Sequence, residues 1–111
     1  MDPRLYHGAH EDLNLAHLCY AASNGDLSLI RLLVSTGAEV NGADYDGRTP
    51  LHMAAVEGQT KAVSFLLHLG AKPEAKDNYG NTPLDEAKKN NREECARVLE
   101  RTLRNKNKAT K

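Results

Sequence analysis

Asp44-Tyr45-Asp46-Gly47-Arg48-Thr49-Pro50-Leu51 is followed, 33 residues later, by Asp77-Asn78-Tyr79-Gly80-Asn81-Thr82-Pro83-Leu84. Gly-x-Thr-Pro-Leu falls in the same phase both times, and self-similarity at a period of this length marks a stack of small helical units. In the first stretch Gly47 suits a turn, Thr49 can cap a helix with its hydroxyl, and Pro50 fits the first helical position, where its missing N–H costs nothing. A helix is expected from about Pro50 to Glu57, stopped by Gly58. A second follows, with Ala62, Val63, Leu66 and Leu67 on one side, and Gly70-Ala71 closes it.

Stepping back from Leu51, Ala54, Ala55, Gly58, Leu66, Gly70 and Ala71 by 33 lands on Leu18, Ala21, Ala22, Gly25, Leu33, Gly37 and Ala38. Stepping forward from Leu51, Ala54 and Leu66 lands on Leu84, Ala87 and Leu99, while Gly58 becomes Asn91, a residue that tolerates the left-handed conformation. Three copies are therefore present. One helix pair cannot bury its apolar face alone, and stacked neighbours supply the missing layer.

These residues resemble the ankyrin repeat. Its pattern of D-x-x-G-x-T-P-L-H-x-A-A-x-x-G, then V-x-x-L-L and G-A, is matched by Asp44 through Ala71. The resemblance implies an all-α solenoid of three helix-turn-helix repeats with short β-turn or hairpin connections. The repeats fall at about 11–43, 44–76 and 77–104, within a domain at 11–104. Residues 1–10 read as a leader outside the array, from which Leu5 and Tyr6 could dock on the first helix.

The end copies depart from the pattern. The first has Ala16-His17 where the others have Thr-Pro, so its helix should start earlier, capped by Asp12 or Asn14. The third has Asp85 in place of His52, at a position where an acid favours the helix start, and Lys88, Lys89, Asn90, Arg92 and Glu93 make it polar, as suits a terminal copy. Its last helix is expected to end near Leu103, leaving residues 105–111 as a basic, disordered tail.

Composition narrows the function. The chain has 111 residues, 40% of them hydrophobic and none of them tryptophan, so one small aliphatic core is expected. Lys+Arg and Asp+Glu are balanced at 15 each, which gives no overall pull toward nucleic acid or an anionic membrane. No stretch approaches the roughly 18 apolar residues of a membrane span, and Met1-Asp2-Pro3-Arg4 does not open a signal peptide. A cytoplasmic location, with the nucleus left open, is the expectation. Cys19 and Cys95 lack C-x-x-C spacing and read as small packing residues.

Residues that suggest chemistry have architectural readings. The resemblance implies that His52 is a structural histidine bonded to its own turn and helix. His7 and His10 have a spacing usable by a metal but no carboxylate or thiolate partner beside them. Asp44 and Asp77 share one phase of the repeat and are expected to stabilise turns; Asp46 adds no metal pattern. No nucleophile elbow, phosphate loop, dinucleotide fingerprint or H-E-x-x-H occurs, so no catalytic residue, metal, cofactor or small-molecule substrate is expected.

Recognition is expected at the positions that turn, cap and core leave free. By the resemblance these are the turn tips and the exposed face of each repeat's first helix. They are Tyr45, Asp46, Arg48, Met53, Val56 and Glu57 in the middle copy, then Asn78, Tyr79, Asn81, Glu86, Lys89 and Asn90 in the next. Tyr45, Arg48, Met53 and Tyr79 offer the most contact area per ordered side chain. The leading reading is a protein-interaction module with an unidentified protein partner, with homodimerisation through a terminal repeat left open. A second reading is an accessory region of a larger enzyme or channel, since Asp44 through His52 and Thr82 through Ala87 resemble the short arrays of glutaminases, asparaginases and plant potassium channels. Nucleic-acid binding through Arg101, Arg104, Lys106, Lys108 and Lys111 is the least favoured.

Overall fold

The computed structural model describes the backbone of residues 3–109 and the side chains of residues 13–106. Within these described residues six helices follow one another: α1 (Pro3–Asn24), α2 (Leu27–Ser35), α3 (Pro50–Val56), α4 (Thr60–His68), α5 (Pro83–Lys89) and α6 (Glu93–Ala109). Among the described residues there is no strand. The odd-numbered helices pack side by side as one layer, the even-numbered helices form the second, and each pair is an antiparallel hairpin.

Local chemistry explains the helix starts. Thr49 accepts the His52 amide at 3.3 Å, and Thr82 accepts the Asp85 amide at 3.2 Å, with Pro50 and Pro83 opening the helices behind them. The N3 side chain answers each time: His52 Nδ1 accepts the Thr49 amide and Asp85 Oδ2 accepts the Thr82 amide, closing two capping boxes. Asp26 caps α2 by accepting the Leu29 amide at 3.1 Å.

The helix stops repeat as well. Residues 25, 58 and 91 all sit in the left-handed region, at φ of 69°, 71° and 61°, although the last is Asn91 and not glycine. Behind them the amides of Asp26, Gln59 and Arg92 return to the carbonyls of Ala21, Ala54 and Ala87, the Schellman closure of a helix end.

The 33-residue step is visible in the core. Leu18, Ala21 and Ala22 of α1 correspond to Leu51, Ala54 and Ala55 of α3, all fully buried, with Ala87 continuing the row in α5. In the second layer Ile30, Val63 and Ala96 form one such row, and Leu66 with Leu99 another. Alanines in the first layer let backbones approach closely, while leucine and isoleucine fill the space between layers. Arg31 of α2 adds a link between copies by lying over the Phe65 ring of α4, 5.6 Å from its centroid.

The two ends of the array differ from the sequence expectation. Asp12 and Asn14 are not caps, because α1 begins at Pro3 and runs through both without a break. Proline at the first helical turn is a normal helix start, and no other proline interrupts the chain before Pro50. Residues 3–10, read from the sequence as a leader, form the first turns of α1; the proposed docking of the Leu5 and Tyr6 side chains lies outside the described residues. At the other end α6 does not stop near Leu103 but continues to Ala109, reaching into the stretch read as a disordered tail. No glycine or proline interrupts it, and Lys106 anchors it by donating to both carboxylate oxygens of Glu74, at 2.9 and 2.7 Å.

Candidate recognition face

The turns between copies are built by aspartate. Asp44 Oδ1 accepts the amides of Asp46 and Arg48, each at 2.9 Å, and Asp77 Oδ1 accepts those of Tyr79 and Asn81, also at 2.9 Å. Backbone bonds from Asp44 N–H to the Arg48 carbonyl and from Asp77 N–H to the Asn81 carbonyl close both loops. Burial pushes the Asp77 carboxyl pKa up, but the two backbone amides, with His52 and Arg48 nearby, outweigh it and hold the group below the usual carboxylate range. Both aspartates are occupied as turn formers, as their shared phase implied.

His52 is fully buried and spans a repeat boundary. Because its Nδ1 accepts the Thr49 amide at 3.1 Å, the ring hydrogen sits on Nε2, which donates to the Asn81 carbonyl at 2.8 Å. Further struts join the copies. Gln59 donates to the Ser23 carbonyl at 2.9 Å, and Arg92, one step on, donates to the Val56 carbonyl at 3.0 Å. Both satisfy carbonyls left open at the ends of first-layer helices. Asn41 donates to the Gly70 carbonyl and accepts the Lys72 amide, fastening the first copy to the second.

Several residues expected to be free for recognition serve this framework. Asn78 donates from its side chain to the Tyr45 carbonyl at 2.6 Å and from its backbone to the Asp46 carbonyl at 2.8 Å, locking one turn to the next. Asn81 receives His52, and Asn90 caps α5, donating to the Glu86 carbonyl at 2.8 Å. Arg48 is half-buried, with Nε enclosed and lacking a hydrogen-bond partner. Glu86 corrects the sequence expectation most clearly: at 4% exposure it is buried, in the layer where α5 packs on α3, with Lys89 Nζ 3.7 Å from Oε1. Exposed positions are Tyr45, Asp46, Glu57, Asn78, Tyr79, Lys89 and Asn90, the two asparagines while making the bonds above, and Arg48, Met53, Val56 and Asn81 are half-buried.

A groove of about 580 Å³ runs between the first-layer helices and the turn tip. Tyr45 and Met53 line it, joined by Leu15, Ala16, Cys19, Tyr20, Ser23, Ala43 and Asp44. The wall from α1 was not anticipated, yet the repeat carries the signal: Tyr20 and Ser23 stand one step before Met53 and Val56. Tyr45 is 92% exposed and Tyr20 66% exposed, an unusual display of aromatic surface in a chain with five aromatic residues in all. Tyr79 stands 71% exposed on the next turn, outside the groove lining.

Cys19 lies in the groove wall, half-buried. Burial, and then the Asp44 charge, push its thiol pKa up to about 11, so it stays protonated at neutral pH and is a poor nucleophile. Cys95 is buried against Thr60, with Sγ 3.4 Å from Oγ1. Among the described residues no three His, Cys, Asp or Glu side chains gather as metal ligands, and no helix is long and apolar enough to cross a membrane.

A family model described as "Ankyrin repeats (3 copies)" matches residues 18–109. The chain belongs to the ankyrin-repeat family. It is similar to L-asparaginase from Dirofilaria immitis, with 43% identity over 53 residues, 42% of this chain and 9% of that protein. It is also similar to the potassium channel KOR1 from Oryza sativa subsp. japonica, 45% identical over 42 residues, covering 38% of this chain and 5% of the channel. The liver isoform of mitochondrial glutaminase from Rattus norvegicus is 37% identical over 57 residues, 51% of this chain and 10% of the enzyme. In each case the match spans a tenth or less of the relative's length.

Proposed function

We propose that this chain is a protein-interaction module that docks a partner protein on the face formed by the turn tips and the first-layer helices, with no catalysis of its own and within the cytoplasm or nucleus. One observation carries the reading: Tyr20 and Tyr45 are exposed on the walls of a ready-made apolar groove, while the surrounding turns are fixed by hydrogen bonds between copies. Rigid aromatic anchors on an ordered scaffold give contact area at little ordering cost, the usual make-up of interface hot spots. Affinity capture from the native source with wild-type chain and with Tyr20→Ala/Tyr45→Ala tests it. Proteins retained by the wild type and lost by the variant support the site; identical retention contradicts it.

The similar proteins favour a second reading, in which the array is an accessory region of a larger enzyme or channel, because the matches cover small parts of an asparaginase, a glutaminase and potassium channels. The intact mass of the native protein separates the two. A species at 12.2 kDa speaks against the accessory reading, and a much larger one carrying these repeats supports it.

A further inference from the structure

The groove has a sign. Next to it lies a second cavity of about 460 Å³ that shares Leu15 and Ala43 with it, so the two form one trough along the first copy. Among the described residues, the charged groups lining this trough are Asp44 and Glu39, and no Lys, Arg or His lines it. Asp44 is held rigidly, with its two turn amides on Oδ1. Asp46 on the same turn and Glu57 at the end of α3 are exposed and make no ion pair among the described residues. The one cation of that turn, Arg48, is half-buried with Nε enclosed.

We infer that the trough takes an extended segment of a partner protein in which a bulky apolar side chain is followed closely by lysine or arginine. The apolar side chain fills the space bounded by Leu15, Ala16 and Met53. The cation lies between the Asp44 carboxylate and the tyrosine rings, where a carboxylate and the negative face of an aromatic ring both attract it. A combined volume near 1,000 Å³ is ample for two or three side chains, at the upper end of what ordinary ligand sites enclose. The Cys19 thiol, pushed up first by burial and then by the Asp44 charge, agrees with this, because the second cause places the carboxylate's field within the groove. The inference rests on the docking reading above and adds the chemistry of what docks.

The test uses the full chain, immobilised, and a decapeptide library with one fixed leucine and randomised flanks, retained peptides being sequenced. Lysine and arginine are expected to be enriched beside the leucine about fivefold over neutral residues, with aspartate and glutamate depleted. Asp44→Asn, which still accepts both turn amides, is expected to flatten that preference, and raising salt to weaken it. Tyr20→Leu/Tyr45→Leu changes only exposed side chains and is expected to reduce retention of every peptide. Retention without charge preference, or with acidic preference, overturns the inference while leaving the docking reading standing. So does a preference unchanged in Asp44→Asn, or a dimer of this chain that Tyr20→Leu/Tyr45→Leu dissolves. Equal retention by the double leucine variant overturns both.

Discussion

His52 of the second copy donates from Nε2 to the carbonyl oxygen of Asn81 in the third, at 2.8 Å. The same ring accepts the amide of Thr49 at the start of its own helix, so one buried side chain fixes a helix cap and a repeat boundary together. His52→Ala is expected to cost about 2–4 kcal/mol, from the cavity and from the unmatched Thr49 amide. Urea unfolding followed by circular dichroism measures it. A loss below about 0.5 kcal/mol would show that the boundary does not depend on this bond.

Leu66 is fully buried in the middle copy, with Ile30 and Leu99 in the neighbouring copies of the same layer. Leu66→Ala should cost about 2–5 kcal/mol, enough to unfold a domain whose terminal copies each lack one neighbour. Lys106→Ala removes only the half-exposed pair with Glu74 and should cost about 0.2–1 kcal/mol. Thermal melts of the two variants should therefore differ widely; similar melts would mean that the repeat register is misplaced.

Asp77 gives the domain an acid-sensitive element. Its folded pKa lies below the ordinary value of 3.8, so the folded state holds the carboxylate more tightly than the unfolded chain does. The stabilisation is complete above the unfolded value and is lost as pH falls through the lower, folded one. Asp77→Asn is expected to make stability less steeply pH-dependent below about pH 4. Denaturation midpoints from pH 2 to 7 check this, and an unchanged acid limb would contradict it.

The Cys19 thiol, raised from 9.0 to about 11, should carboxamidomethylate roughly 100-fold more slowly than an unperturbed thiol between pH 7 and 8. Asp44→Asn removes the lesser of its two causes and should recover part of the rate. Peptide-resolved mass spectrometry after iodoacetamide treatment distinguishes Cys19 from Cys95. Rapid labelling of Cys19 in the native chain would place it outside the groove wall.

Much of the architecture is legible in short local signals. Thr49-Pro50 and Thr82-Pro83 start helices where caps and φ restriction demand it, and Gly58 and Asn91 end helices in the same left-handed turn. The ends of the array are less legible because they lack such punctuation: Pro3 opens α1 upstream of Asp12, and α6 meets nothing that stops it at Leu103. On the recognition face, phase distinguishes turn tip from core but not a free side chain from one enlisted by the next copy. Asn78 and Glu86 stand at equivalent positions to Tyr45 and Met53, yet one bonds to the neighbouring turn and the other is buried. The α1 wall of the groove follows from the same step once Met53 is carried back to Tyr20.

Hydrogen–deuterium exchange of the full chain, alone and saturated with a captured partner, locates the docking face. Protection concentrated in residues 15–23 and 43–53, lost together with binding in Tyr20→Ala/Tyr45→Ala, is the predicted result. Protection confined to α2, α4 and α6, with the groove exchanging as in the free chain, would contradict it.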